Sequence, residues 1–360
     1  MGDTGKNSII GLELVSIWKL VTILVTITGF YLMNEMMIIR ENLNPQAKSV
    51  FNSFSYHLPK IAQWTVIVSI GRIILQYLTQ EFALKLYLKT TVKNTEAYKD
   101  KIKPVIANLI WYSFITAFGI TRVGYKNDIV PRTLGGTMDS NRAFSERYPH
   151  LDMKEIDYLY FHIQFGTKIY SFLKTLILER EFGDFWEMYL HHLLTTLLMV
   201  LSLFSNITEI GLVVLLIHDP GDVVLNFMKI YRYMIPKAYK PSIFTAALSI
   251  VSMLFWIILR VVIQPISLFT REYQILKNLR EYQAYEVTDE ILDKLYYLLA
   301  AIFSVLFILY IMNVYWSILA LRLVTNFIFK GDFKYHHGVK INKRIEKDKI
   351  NKKNKGKLKE

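Results

Sequence analysis

Long apolar stretches alternate with short polar segments along the whole chain. A bilayer core of about 30 Å is crossed by roughly 20 mostly apolar helical residues. Eight stretches of this kind occur, approximately at 9–33, 61–78, 104–121, 156–178, 185–204, 209–231, 242–263 and 295–321. The pattern predicts an all-α polytopic membrane protein with about eight transmembrane helices.

The charge distribution predicts how these helices are oriented. The chain is 52% hydrophobic with a formal net charge of +13. Residues 322–360 hold thirteen Lys and Arg against four Asp and Glu, a net +9 in one tail. Cytosolic loops of membrane proteins are rich in Lys and Arg, so we expect this tail, and with it both termini, in the cytosol. The positive charge therefore indicates orientation, and no nucleic-acid partner is expected.

The basic residues 328–360 are interpreted as a disordered tail, with attraction to anionic lipid head groups as the alternative.

Cysteine is absent from the chain. A disulfide framework, a thiolate metal site and a catalytic thiol are therefore all excluded. Any nucleophile in this protein has to be another side chain.

Ionisable side chains concentrate in two neighbouring apolar stretches, where each costs about 2.5 to 3.5 kcal/mol on insertion scales. The stretch 185–204 and the residue before it carry Asp184, Glu187, His191, His192 and Thr195. The stretch 209–231 carries His218, Asp219, Asp222, Asn226 and Lys229. At 100° per residue each set forms one polar stripe on its helix. Such stripes indicate a functional site within the membrane.

A connection of about four residues, 205–208, predicts that the two striped helices form an antiparallel hairpin. Positions equidistant from the turn then lie at the same depth, which places His191 opposite Asp222 with an uncertainty of about one helical turn. A carboxylate opposite an imidazole fixes its tautomer and stabilises its charged form. We expect this pair roughly 10 Å below the cytosolic boundary, at 1.5 Å per residue.

Two other interpretations of the stripes remain open. The polar groups could only bond the helices to one another, although one Asn or Thr would suffice for that purpose. The second interpretation is a metal centre, but the H-x-x-x-H and H-x-x-H-H boxes of membrane di-iron enzymes are absent. We therefore predict no metal site.

The striped residues also follow a known motif. The run His218, Asp219, Pro220, Gly221 and Asp222, followed by Leu225, Lys229 and Tyr233, resembles the Lag1 motif of ceramide synthases. The pair His191 and His192, with Asp184, Met188 and Thr195, resembles the paired-histidine span of the same family. Further landmarks agree in order and spacing: Tyr148-Pro149, Arg260 with Pro265, and Asn313-Val314-Tyr315-Trp316. The resemblance covers residues 98–327, the whole TLC domain.

The resemblance implies a ceramide synthase of the endoplasmic-reticulum membrane, which joins a fatty acyl group from acyl-CoA to the amine of a sphingoid base. The implied catalytic residues are His191, His192, His218, Asp219 and Asp222. The implied substrate-binding residues are Thr195, Asn226, Lys229, Tyr233 and Arg260. No cofactor is expected, since acyl-CoA is a substrate. The partners are the two substrates and membrane lipids, with a homo- or hetero-oligomer or an accessory subunit left open.

The implied organisation has three parts: residues 1–97 with two transmembrane helices, the TLC domain at 98–327, and the tail. His191 would remove a proton from the attacking amine, or would first accept the acyl group as an acyl-imidazole, with Asp222 orienting its ring. The chain departs from the family pattern at four positions: Glu209, Gly221, Asn226 and Arg232.

Two alternatives come from other classes of protein. A non-catalytic TLC-domain protein resembling the translocation-associated membrane proteins would bind nascent chains or lipids, but it would lack the paired His or Asp. A proton-coupled lipid transporter would use the stripes as a proton relay, but it would have internal repeats, and none is visible. The acyl length and the sphingoid base are not predicted, and the segment 264–294, which bears on acyl length in the family, gives no indication.

Overall fold

A computed structural model describes residues 4–42, 53–90, 95–125, 127, 130, 132, 135–137, 153–180, 184–205, 207–234, 243–278 and 289–330. Nine α-helices lie within these ranges. They are α1 (Thr4–Asn42), α2 (Ser53–Thr90), α3 (Thr95–Phe118), α4 (Glu155–Leu178), α5 (Phe185–Phe204), α6 (Thr208–Met234), α7 (Ile243–Ile257), α8 (Gln264–Asn278) and α9 (Asp289–Lys330). Two π-helical segments continue helices: Gly119–Gly124 extends α3, and Ile258–Ile263 joins α7 to α8.

Seven spans within the described residues are long and apolar enough to cross a membrane. They are Ser16–Ile39, His57–Thr79, Pro104–Gly124, Phe185–Phe204, Thr208–Tyr231, Ala246–Phe269 and Leu292–Asn326. The remaining predicted stretch, 156–178, is also helical as α4, but its polar residues, among them Gln164 and Lys168, keep it out of these seven. The prediction of an all-α polytopic membrane protein is confirmed.

Eight of the described helices pack in a closed order. Neighbouring helices follow the path α2, α3, α6, α7, α9, α1, α5, α4 and back to α2. Helix α5 also contacts α6 and α9 across the middle of this ring. The apolar side chains of α5, including Leu190, Leu194 and Leu201, are completely buried as a result. Helix α5 is thus packed against α1, α4, α6 and α9, and the other striped helix, α6, is one of these neighbours.

The predicted hairpin forms as expected. Helix α5 ends at Phe204 and α6 begins at Thr208, so the connection is short. The Ile207 amide donates to the Ser202 carbonyl at 2.9 Å and closes the turn. Helix α6 continues through Pro220, which lies within it. The proline costs one backbone bond but does not end the helix.

Large apolar side chains cover the outside of the bundle. Examples are Phe30 on α1, Tyr77 on α2 and Phe244 on α7, which are 66% to 75% exposed. A surface of this kind is favourable only against lipid. The basic residues 331–360 lie outside the described residues.

Candidate functional site

A narrow cavity lies between α4, α5, α6 and α9, and its two ends differ in polarity. One end is lined by Lys168, His191, Thr195, His218 and Asp222. The remainder is lined almost entirely by apolar side chains, among which are Leu198, Ile207, Val214, Phe303 and Leu306. The cavity volume is about 50 Å³. From Asp222 back to Ile207 on α6 the cavity wall is about 22 Å long, at 1.5 Å per residue.

Asp219 is held by two neutral donors from α4. The Tyr160 hydroxyl donates to Asp219 Oδ2 at 2.6 Å, and the Gln164 amide donates to the same oxygen. Gln164 also donates to the Tyr160 hydroxyl oxygen at 2.9 Å. All three side chains are no more than 1% exposed. Asp219 Oδ1 has no hydrogen-bond partner among the described residues, so one oxygen of this buried carboxyl remains available.

Asp222 forms the ion pair of the site with Arg260. A guanidinium nitrogen of Arg260 bonds to Asp222 Oδ1 and donates to the His218 carbonyl oxygen, the latter at 2.8 Å. The guanidinium also lies 5.1 Å from the centre of the Trp256 ring. Arg260 is only 3% exposed. It belongs to the π-helical segment Ile258–Ile263, a type of distortion that is frequent at functional sites.

His218 has its tautomer fixed by two bonds. Its Nδ1 lies 2.8 Å from the Val214 carbonyl oxygen, which only accepts, so Nδ1 carries the proton. Its Nε2 therefore accepts from the Asn313 amide at 3.3 Å. Asn313 also donates to Gln264 Oε1 at 3.0 Å, and both amides are completely buried. His218 is thus a neutral, immobilised ring in this arrangement.

The two neighbouring histidines of α5 are the least restrained polar groups of the site. Their ring centres are 5.4 Å apart, and the His191 ring lies 5.0 Å from the centre of Trp316, edge to face. The Nδ1 atoms of both rings are buried without a hydrogen-bond partner among the described residues. His191 lines the cavity, whereas His192 is not part of its wall. Within the described structure no hydrogen bond joins His191 to Asp222, although both line the same cavity.

The other predicted substrate-binding residues occupy different positions. Thr195 lines the cavity, and its hydroxyl donates to the His192 carbonyl at 3.1 Å. Asn226 donates to the Asp222 carbonyl one turn back on α6. Lys229 is exposed on the same helix. The side chain of Tyr233 lies outside the described residues.

Sequence reasoning missed three residues on α4: Tyr160, Gln164 and Lys168. Tyr160 and Gln164 hold Asp219, and the Lys168 side chain is 8% exposed and lines the cavity. Lys168 has no hydrogen bond or ion pair among the described residues. The three positions are spaced by four, so they form a polar stripe along one face of α4. That spacing was the signal that could have found them.

The end of α4 carries an ion pair close to the start of α5. Lys174 Nζ lies 2.7 Å from Glu179 Oε1, and the Thr175 hydroxyl donates to Glu179 Oε2 at 2.8 Å. Burial alone would raise the pKa of the Glu179 carboxyl, but the Lys174 ammonium and these two bonds together lower it below its ordinary value. Glu179 is therefore an anion at neutral pH.

Comparison with known proteins identifies the family of the chain. A family model described as the TLC domain matches residues 102–322. Fold and site define a polytopic membrane protein with a His and Asp cavity inside its helical bundle. The chain belongs to the TLC-domain family. Several of the relatives that it matches are named ceramide synthases, and others are named ASC1-like proteins.

The similarity to individual relatives is modest. Ceramide synthase 4 of Bos taurus is 29% identical over 189 residues, which are 52% of this chain and 43% of that protein. ASC1-like protein 3 of Oryza sativa subsp. japonica is 26% identical over 196 residues, 54% of this chain and 64% of that protein. Ceramide synthase hyl-2 of Caenorhabditis elegans is 35% identical over 74 residues, 21% of this chain and 22% of that protein. The chain thus spans about half the length of the curated relatives it matches.

Proposed function

We propose that this protein is a ceramide synthase of the endoplasmic-reticulum membrane. In this reaction the acyl group of a fatty acyl-CoA is transferred to the amine of a long-chain sphingoid base. The observation that carries the proposal is the cavity itself, in which the His191 imidazole, whose Nδ1 has no hydrogen-bond partner among the described residues, lies at the polar end of an apolar channel. In the proposed complex the acyl chain occupies the apolar part, once the helices have separated to admit it, and its carbonyl carbon lies beside His191.

The reaction forms a C–N bond and breaks a C–S bond. The amine nitrogen attacks the thioester carbonyl, and the CoA sulfur leaves as a thiolate that takes up a proton. For a protonated amine the balance is one amide, one CoA thiol and one released proton. His191 is the group that accepts the proton of the attacking nitrogen. Because the chain has no cysteine, a thiol acyl-enzyme is excluded.

An acyl-imidazole on His191 is the second route through the same residue. In that route the imidazole nitrogen first displaces CoA, and the amine then displaces the imidazole. The two routes are distinguished by the mass of the protein after incubation with acyl-CoA alone. Protein incubated with acyl-CoA alone gains the mass of the acyl group only if the acyl-imidazole forms.

Two cations lie close enough to the cavity to stabilise the negative oxygen that develops during attack. The Lys168 ammonium lines the cavity and interacts electrostatically with Asp219 and Asp222. Arg260 is bound to Asp222 and to the backbone of His218. Loss of one such donor lowers turnover by about 100-fold to 1,000-fold in enzymes that stabilise an oxyanion.

The volume of the cavity implies movement during the reaction. At about 50 Å³ the cavity is well below the roughly 300 Å³ at which ordinary ligand pockets begin. The helices α5, α6 and α9 therefore have to separate slightly to admit an acyl chain.

Expression in cells that lack ceramide synthesis tests the proposal. Their membranes should form N-acylated sphinganine when supplied with sphinganine and acyl-CoA, and a panel of acyl lengths would define the preference. No amide from any acyl length, with the protein correctly inserted, would contradict the proposal. His191→Ala should abolish the product, whereas His337→Ala, in the predicted basic tail, is the matched histidine control and should not.

A further inference from the structure

A buried carboxyl group lies about one helical turn before His191 on α5. Glu187 of α5 is 7% exposed. The Tyr315 hydroxyl donates to Glu187 Oε1 at 3.3 Å, and the indoles of Trp18 and Trp316 lie next to the same carboxyl. No cation lies within ion-pair distance of Glu187 in the part of the chain that the structure describes. A buried carboxylate in this state lacks its most favourable partner, a cation.

The aromatic rings around Glu187 connect it to the proposed reaction centre. The rings of Trp18 and Tyr315 meet edge to face at 5.4 Å, and Trp316 meets the His191 ring at 5.0 Å. A buried carboxylate beside three aromatic side chains is an arrangement that binds an ammonium group, through the ion pair and, where a ring presents its face, through cation–π attraction. An ammonium at Glu187 would lie about 6 Å, four residues at 1.5 Å each, from the level of His191.

An apolar cleft leads away from the same aromatic group. It lies between α1 and α9, has a volume of about 390 Å³ and starts at Trp18. Val25 and Thr28 line its α1 side, and Val305, Ile308 and Met312 line its α9 side. From Trp18 to Thr28 the cleft is about 15 Å long, which accommodates roughly a dozen methylene groups of an extended chain. It uses a different face of α9 from the acyl channel, which is lined by Phe303, Leu306 and Leu309.

We propose that Glu187 and the cleft between α1 and α9 together bind the sphingoid base. The ammonium of the base pairs with Glu187, and its hydrocarbon chain lies along the cleft. Both features are needed for this assignment, because an amphiphile with one cation at the end of a long chain matches a buried anion at the end of an apolar cleft. The two hydrocarbon chains then enter on different faces of α9 and meet at His191. This inference rests on the proposed function, since it names the site of one of its two substrates.

Steady-state kinetics separate this site from the acyl site. Glu187→Gln should raise KM for sphinganine at least tenfold and leave KM for acyl-CoA within twofold. Val25→Trp, which fills the cleft, should raise KM for sphinganine but not for a six-carbon analogue of the base. Ile23→Trp is the matched control, because Ile23 is 55% exposed on another face of α1. Unchanged sphinganine KM in both variants, or an equal rise in acyl-CoA KM, overturns the proposal.

Photolabelling of the unmodified protein tests the proposed binding site even if a variant fails to fold. A photoactivatable sphinganine should label peptides of α1 or α9 in the unmodified protein, and excess sphinganine should remove the label. If phosphatidylcholine removes it equally well, the cleft holds a membrane lipid and the proposal is wrong. If the unmodified protein labels as expected but makes no amide, the proposed function fails while the binding site stands.

Discussion

Arg260 is the residue on which most of the polar site depends. It is almost completely buried, and Asp222 is the only ionised partner that it contacts among the described residues. We predict that Asp222→Asn lowers protein stability by about 3 to 5 kcal/mol, because the guanidinium is left as an uncompensated buried charge. Thermal unfolding in detergent would measure the loss.

A double variant tests whether this loss of stability comes from the interaction between Asp222 and Arg260. Asp222→Asn combined with Arg260→Gln should be less destabilised than the sum of the two single variants. The exposed pair Glu290 and Lys294 is the control, where loss of either charge should leave stability nearly unchanged because solvent screens the pair. Effects at Asp222 and Arg260 that add to within about 0.5 kcal/mol would show that the two residues are not coupled.

At the scale of single residues the sequence predicted which side chains are polar and buried, but not which of them bond. Helical periodicity placed His191, His218 and Asp222 on facing stripes, and the structure brings all three to one cavity. The expected hydrogen bond between His191 and Asp222 is absent from the described structure, and Arg260 binds Asp222 instead. Arg260 reaches Asp222 from a π-helical segment, and no 3.6-residue pattern reveals such a segment.

The backbones of α2 and α4 lie close together at Gly166, because glycine has no Cβ atom. A Cβ atom added at Gly166 on α4 would lie 2.9 Å from backbone atoms of Trp64 and Thr65 on α2. Backbone atoms cannot rotate away as a side chain can, so the two helices would have to separate. We predict that Gly166→Ala lowers the unfolding midpoint, although alanine is the better helix former.

Gly71 on α2 provides the matched control. A Cβ atom there meets nothing within 4 Å, so Gly71→Ala should stabilise the protein by up to about 1 kcal/mol through helix propensity alone. The midpoints of the two variants would be compared in the same detergent. Equal effects of the two substitutions would contradict the packing of α2 against α4.

The element that sequence analysis described least well is α4. Its apolar stretch was predicted as an ordinary transmembrane helix, yet Tyr160, Gln164 and Lys168 on it face the site. The length of the helix followed from the sequence because apolar runs fix it. The direction in which its polar stripe faces did not follow from the sequence, because that direction depends on how α4 packs against α5, α6 and α2.

For the whole molecule, the orientation in the membrane remains a prediction from charge. The +9 tail at residues 322–360 predicts that both termini are cytosolic. Epitope tags at either end should be cut by protease added to sealed microsomes without detergent. A lumenal control protein should be protected in the same preparation. Protection of either tag would contradict the predicted orientation.

We predict that His191 and the cavity beside it catalyse amide formation. Purified protein supplied with sphinganine and an accepted acyl-CoA should release one CoA thiol for each ceramide formed, as measured by mass spectrometry and a thiol assay. We predict that His191→Ala, with an unfolding midpoint close to that of the unmodified protein, lowers this rate at least 100-fold. Full activity in His191→Ala would contradict the account of the site, and no ceramide from the unmodified protein would contradict the account as a whole.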